Sequence, residues 1–184
     1  FNLGIICAWF GLYKLIQQQI IRTQILDIAA NTDPLTGLLN RRSFNQTSNK
    51  PTKTEVNSYL MLDIDYFKQI NDQYGHAAGD WALRQTVDTC RNFMRNNDVF
   101  GRIGGEEFAV VLPGCHTDKA VLLAEICRDA IASIDSRDSG FDFPLTASFG
   151  VSGSGTSGYI LKQLQSDADN AMYQAKAAGR NTVK

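Results

Sequence analysis

The run Arg102-Ile-Gly-Gly-Glu-Glu-Phe-Ala-Val-Val-Leu-Pro113 constrains this chain more than any other stretch. Apolar, β-branched residues flank Gly104, Gly105, Glu106 and Glu107, so Val99 to Ile103 and Phe108 to Leu112 read as the two arms of a β-hairpin. The glycines leave the backbone bare for a ligand and can take positive φ. Adjacent carboxylates repel each other, and folding does not require them at a turn. They serve either as a solvated polar tip or as partners of a cation or a proton in flight.

Tyr59 to Asp65 reads as a second strand. Alternation puts Leu60, Leu62 and Ile64 on one face, with Met61, Asp63 and Asp65 on the other. Carboxylates ending an apolar strand suit a divalent ion held by oxygen, or are simply solvated. The next stretch, Tyr66 to Asp80, carries groups that read a base: Asn71, Asp80 and the aromatics Tyr66, Phe67 and Tyr74. A carboxylate with an amide matches the edge of guanine and rejects adenine through unpaired polar groups. The same residues can instead shape a turn, with Asp80 capping the helix that follows.

Helical spacing is expected over Trp81–Arg95 and Cys115–Ile134, the latter with Ala120, Leu123, Ile126, Cys127 and Ile131 inward. Leu145–Ser152 reads as a strand, and Asn40 as an N-cap. Leu161–Gly179 reads as a helix stopped by Gly179. Lys176 and Arg180, four apart, are expected on one side of its end, where they complement the helix dipole or neutralise phosphates. Ser48–Asn57 and Gly153–Gly158 read as loops. The second lacks the lysine and the strand-to-helix setting of a P-loop.

Residues 1–16 are apolar nearly all round, with Trp9, Tyr13 and Lys14 near the end as interfacial anchors. A helix of that length covers about 24 Å, short of the ~30 Å hydrocarbon core. It is expected to be the cytoplasmic end of a membrane-spanning helix, or else a helix packing on a partner. Gln17–Asn31 continues the helical pattern, and Asn31-Thr-Asp-Pro34 breaks it. The chain starts without methionine and reads as a fragment. Its net charge of −1 over 184 residues leaves no broad basic face for a nucleic acid polymer. Four dispersed cysteines lack the spacing of zinc ligands or a disulfide scaffold and read as reduced thiols.

Together these residues resemble the GGDEF family of bacterial diguanylate cyclases. The likeness rests on Asp33-x-Leu-Thr-x-Leu-x-Asn-Arg-Arg42, Asp63-Ile-Asp-x-Phe-Lys-x-x-Asn-Asp72, Gly75-His-x-x-Gly-Asp80, Gly104-Gly-Glu-Glu-Phe108 and Asp169-x-Ala-Met-Tyr-x-Ala-Lys-x-x-Gly-Arg-Asn181, in that order. Glu106 stands where the family name has Asp. The resemblance implies an α+β, palm-like fold: a central antiparallel sheet surrounded by helices, over residues 32–184, with residues 1–31 as a helical extension. It implies condensation of two GTP into cyclic di-GMP with release of two pyrophosphates, at the interface of a homodimer; the apolar residues 1–16 add the expectation that it is held at the bacterial inner membrane, with the catalytic domain in the cytoplasm.

By position, the resemblance gives Mg²⁺ (Mn²⁺ as an alternative) to Asp63, the Ile64 carbonyl and Glu106. It also proposes Glu106 as general base, a role that competes with metal ligation. Glu107 supports metal or substrate. Asn71 and Asp80 read guanine, while Phe67, Lys68, Lys176 and Arg180 cradle phosphates and His76 lines the pocket. Arg95 and Asp98 match an inhibitory site for product, although a bare Arg-x-x-Asp is also an ordinary surface ion pair. The competing class is a silent nucleotide-binding receptor. Such relatives lose a metal-site carboxylate, and here Asp63, Glu106 and Glu107 are all present.

Overall fold

Strand β2 (Asn57–Ile64) is an inner strand of the sheet, and its stretch Tyr59–Leu62 is apolar on both faces. In the computed structural model, which describes residues 2–49, 56–154 and 160–184, the element order is α1 (Asn2–Asn31), β1 (Leu39–Asn40), α2 (Arg41–Ser48), β2, α3 (Phe67–Tyr74) and α4 (His76–Arg91). There follow β3 (Val99–Arg102), β4 (Glu107–Pro113), α5 (Thr117–Ala132), a 3₁₀ turn at Ser136–Ser139, β5 (Ala147–Gly153) and α6 (Leu161–Ala177).

The sheet runs β1-β3-β4-β2-β5. The four longer strands pair antiparallel, as the resemblance implies, while the short β1 adds a parallel edge through Leu39 opposite Gly101. Alternation sorts the core into two layers. Leu60, Leu62, Ile64, Phe108, Val110 and Leu112 pack with α4 and α5 residues such as Ala82, Leu83, Cys127 and Ile131. Tyr59, Ala109 and Val111 face Phe44 of α2 and Leu161, Leu164 and Ala168 of α6. Asp63 shares the parity of Tyr59 and Met61, so the strand itself aims it at α6.

Local signals place the helix ends. Asn40 caps α2, its Oδ1 accepting from the Ser43 amide at 3.0 Å. At the end of α6, Gly179 takes φ +113 and donates to the Lys176 carbonyl, while Arg180 donates to Ala175. That pair of bonds is a Schellman stop, which glycine permits and a side chain resists.

Four expectations change. Gly75, at φ +82, ends α3 and opens α4 directly, so α4 starts at His76 and Asp80 lies inside it rather than capping it. The buried stripe of α5 is Ala120, Ala124, Cys127 and Ile131; Ile126 is 49% exposed because it falls one residue off that stripe. Arg180 lies past the Schellman turn in a left-handed conformation, so it does not share a helix face with Lys176. Neither Gly104 nor Gly105 has positive φ; the space a Cβ would need at Gly104 is filled by the Glu107 carboxylate.

Helix α1 is continuous, and its apolar side chains from Trp9 to Ile28 are exposed. Among the described residues no helix is long and apolar enough to cross a membrane. Residues 50–55 and 155–159, inside the two expected loops, lie outside the described residues. Cys90, Cys115 and Cys127 are buried free thiols.

Candidate active site

The carboxylates of the hairpin and of β2 meet because of strand register. Asp63 pairs directly with Glu107 across β2 and β4, and the Ile64 amide donates to the Glu106 carbonyl at 3.3 Å. Asp63 is buried, and Lys176 of α6 reaches it at 2.8 Å. Burial raises the Asp63 carboxyl; Lys176 pulls it back, Glu106 and Glu107 push it further, and the result is about 6. A site that disfavours its own ionised carboxylate to that extent favours an added cation.

The donor set suits a hard divalent ion. Asp63 and Glu106 offer carboxylate oxygens and the end of β2 offers the Ile64 carbonyl, all oxygen ligands of the kind Mg²⁺ takes. Among the described residues no three His, Cys, Asp or Glu side chains converge as a ready metal cluster. Mg²⁺ is commonly held by one or two carboxylates with phosphate and water completing its shell. Glu107 also borders a polar cleft of about 370 Å³ between α2 and α6, with Arg41 and Asp169.

Asp65 does something different from Asp63. It is 2% exposed and accepts from Ser148 Oγ at 2.6 Å, Thr146 Oγ1 at 2.8 Å and the Asn181 amide at 3.0 Å. Its carboxylate is thus consumed in fastening β5 and the chain after α6 to the end of β2. The strand parity that puts two acids on one face does not reveal this division of labour.

Gly79 lets the side chain of Asn71 lie against α4. A Cβ on Gly79 would lie 2.1 Å from Asn71 Oδ1, so the amide rests on the bare backbone of α4 one residue before Asp80. Phe67 starts α3 and packs half-buried against the core, while Lys68 beside it and His76 at the start of α4 are exposed. Tyr66, which the sequence groups with base-reading aromatics, instead carries Arg180, whose Cζ lies 4.6 Å from its ring centroid.

Arg95 and Asp98 stand apart, at the far end of β3 and about 20 Å along the chain from the hairpin turn at ~3.3 Å per residue. They pair with each other at 2.8 Å beside an open groove of about 600 Å³ that Arg91 also lines.

The residues without an expected role are Asp33 and Arg102. Arg102 Nη1 donates to both Asp33 oxygens at 3.1 Å, and its Nη2 donates to the Gly105 carbonyl at 2.6 Å. Burial alone would raise the Asp33 carboxyl, but hydrogen bonds from Thr36 and Arg102 outweigh it and hold it below its ordinary value. Asn40 and Arg42 grip the Ala30 carbonyl at 2.9 and 3.0 Å. The end of α1 is therefore tied through Asp33 and Arg102 to the turn that carries Glu106. Asp33 opens one recognisable motif and Arg102 shortly precedes another, but nothing local says that they touch.

The family described as "Diguanylate cyclase, GGDEF domain" matches residues 30–182. Diguanylate cyclase DgcS of Shewanella oneidensis is 35% identical over 88% of this chain and 54% of its own length. The chain spans about half or less of the length of the curated relatives it matches. The coiled coil and GGDEF domain of DgcB from Caulobacter crescentus, solved with c-di-GMP, superposes with TM-score 0.86 over 98% of both chains at 24% identity. The GGDEF domain of DgcB alone, also with c-di-GMP, gives TM-score 0.77 at 29% identity over 84% of this chain and 95% of that one.

Proposed function

The chain belongs to the GGDEF diguanylate cyclase family, and on that footing we propose that it condenses two GTP into cyclic di-GMP. The observation that carries the reading is the meeting of Asp63, the Ile64 backbone and the Glu106–Glu107 turn at one sheet end, with Asn71 and Asp80 on the two helices that follow β2, the Asn71 side chain lying against Gly79. Each 3′-oxygen bonds to the other nucleotide's α-phosphorus, the bond to pyrophosphate breaks, and the hydroxyl proton leaves; two such steps close the ring and release two pyrophosphates.

Asn71 and Asp80 select guanine, because adenine would leave both polar groups unpaired. Lys68, Lys176 and Arg180 supply positive charge to the phosphates, aided by Phe67 at the same helix start, with His76 at the pocket wall. Asp63, the Ile64 carbonyl and Glu106 hold Mg²⁺ or Mn²⁺, which when bound neutralises phosphate charge and positions the attacking and leaving oxygens. Lys176 already neutralises Asp63 and keeps the carboxylate set from repelling itself apart. Glu106 is the residue that both ion and attacking hydroxyl need, and metal ligation is the role favoured here because a bound carboxylate is a weak base.

Catalysis of this kind needs two protomers face to face. The exposed Trp9, Tyr13, Ile16 and Ile20 recur at 4-3-4 spacing along α1, which supports pairing with a second copy. Anchoring at a membrane is part of the same proposal and is argued from the apolar sequence of residues 1–16 alone, since among the described residues no helix is long and apolar enough to cross one. The Arg95–Asp98 pair beside its groove supports a product-inhibition site; to bind product, their mutual ion pair must open.

The test is to incubate the protein with GTP and Mg²⁺ beside a Glu106→Gln variant and to resolve nucleotides by chromatography. Cyclic di-GMP from the parent alone supports the reading. No product from either, even with dimerisation forced through α1, removes it in favour of a binding-only domain.

A further inference from the structure

Arg180 is held in an unusual way. Arg180 and Asn181 both adopt left-handed backbone, at φ 67 and 43, and so does Tyr66 at φ 55. Side chains avoid that region unless their surroundings impose it. Here the surroundings are visible: the Asn181 amide donates to buried Asp65 at 3.0 Å, and its Oδ1 accepts from Arg128 at 3.1 Å. That double grip fixes the backbone just after Arg180. Its guanidinium is then laid on the ring of Tyr66, the residue that follows Asp65 in sequence.

The two cations of this corner differ. Lys176 is spent on Asp63, whereas Arg180 makes no ion pair with any described residue. A guanidinium stacked on an aromatic face keeps its planar fork of donors available for oxyanions. We propose that Tyr66 is a positioning residue for the substrate's phosphates, its ring holding Arg180 in place above the turn that Asp65 clasps. This rests on the reading of Arg180 as a phosphate contact and deepens it: beside Lys176, which also pairs with Asp63, the stacked arginine is the cation of this corner whose donors no carboxylate of the described residues occupies. The ring matters and the hydroxyl does not.

The experiment measures binding of α,β-methylene GTP, which cannot lose pyrophosphate, and of guanosine, which has no phosphate. The proteins are the parent, Tyr66→Phe, Tyr66→Leu, Arg180→Ala and the Tyr66→Leu/Arg180→Ala double variant. Tyr66→Leu is expected to weaken the triphosphate about two- to fivefold, the range of an exposed cation–π contact, and to leave guanosine unchanged. Tyr66→Phe is expected to match the parent, and Tyr66→Leu to add nothing once Arg180 is gone. Parent-like triphosphate binding by Tyr66→Leu, with Arg180→Ala weakened, overturns the role of Tyr66 and leaves the phosphate reading intact. Equal weakening toward both ligands makes Tyr66 a structural residue only. Unchanged triphosphate binding by Arg180→Ala overturns the phosphate contact and this proposal with it.

Discussion

Asp63→Asn is expected to make the metal-free protein more stable while ending its chemistry. Burial and the two neighbouring glutamates raise the Asp63 carboxyl from 3.8 to about 6 even with Lys176 beside it. At neutral pH the ionised form therefore costs ~3 kcal/mol, at 1.36 kcal/mol per unit. Between pH 3.8 and 6 the folded protein holds a proton that the unfolded chain has released, so the parent loses stability as pH rises through this window. An asparagine of the same shape has no such cost, and Lys176, one-third exposed, keeps its water.

In urea titrations with chelator present, the variant should exceed the parent by about 2–3 kcal/mol at pH 7.5 and by almost nothing near pH 4. The corresponding rise in Tm is roughly 5–10 °C for a chain of this size. Added Mg²⁺ should narrow the gap by stabilising the parent alone. A variant less stable than the parent at pH 7.5 would mean that the Lys176 pair outweighs desolvation and repulsion, and the argument would be refuted.

Three further substitutions probe other parts of the account. Gly79→Ala puts a Cβ 2.1 Å from Asn71 Oδ1, so kcat/KM for GTP should fall about tenfold or more while Tm holds, alanine being the better helix former; unchanged selectivity for GTP over inosine triphosphate would show that Asn71 does not read the base. Arg102→Ala breaks the tie between Asp33 and the Gly105 carbonyl and should cost about 2 kcal/mol in urea titrations, with kcat reduced more than KM is raised; a fall confined to KM would argue that the tie positions nothing catalytic. Arg95→Ala should retain initial turnover and lose inhibition by added cyclic di-GMP, and inhibition at parental strength would remove the Arg95–Asp98 site.

Sequence pattern carried much of this fold because its signals are local. Alternation in Tyr59–Asp65 put Asp63 on the face that α6 covers, and Asn40 and Gly179 marked helix ends through capping chemistry. What stayed hidden depends on contacts between distant residues. Nothing near Asp65 announces that Thr146, Ser148 and Asn181 will occupy its oxygens, so the two acids of one strand look alike until the sheet is assembled. Arg102 finds Asp33 only because the short β1 lies beside β3. The misplacement of Ile126 is a phase error: a helix stripe is narrower than the run of apolar residues that crosses it. Asp80 lies inside α4 rather than at its cap because Gly79, which reads as a loop residue, is a helix residue that makes room for the side chain of Asn71.

The most direct test of the central claim counts both products at once. The dimerised protein would be given GTP and Mg²⁺, with pyrophosphate and cyclic di-GMP quantified from the same samples. The account predicts two pyrophosphates per cyclic di-GMP from the parent and neither product from Glu106→Gln. Pyrophosphate without cyclic di-GMP, or parental turnover by Glu106→Gln, would contradict it.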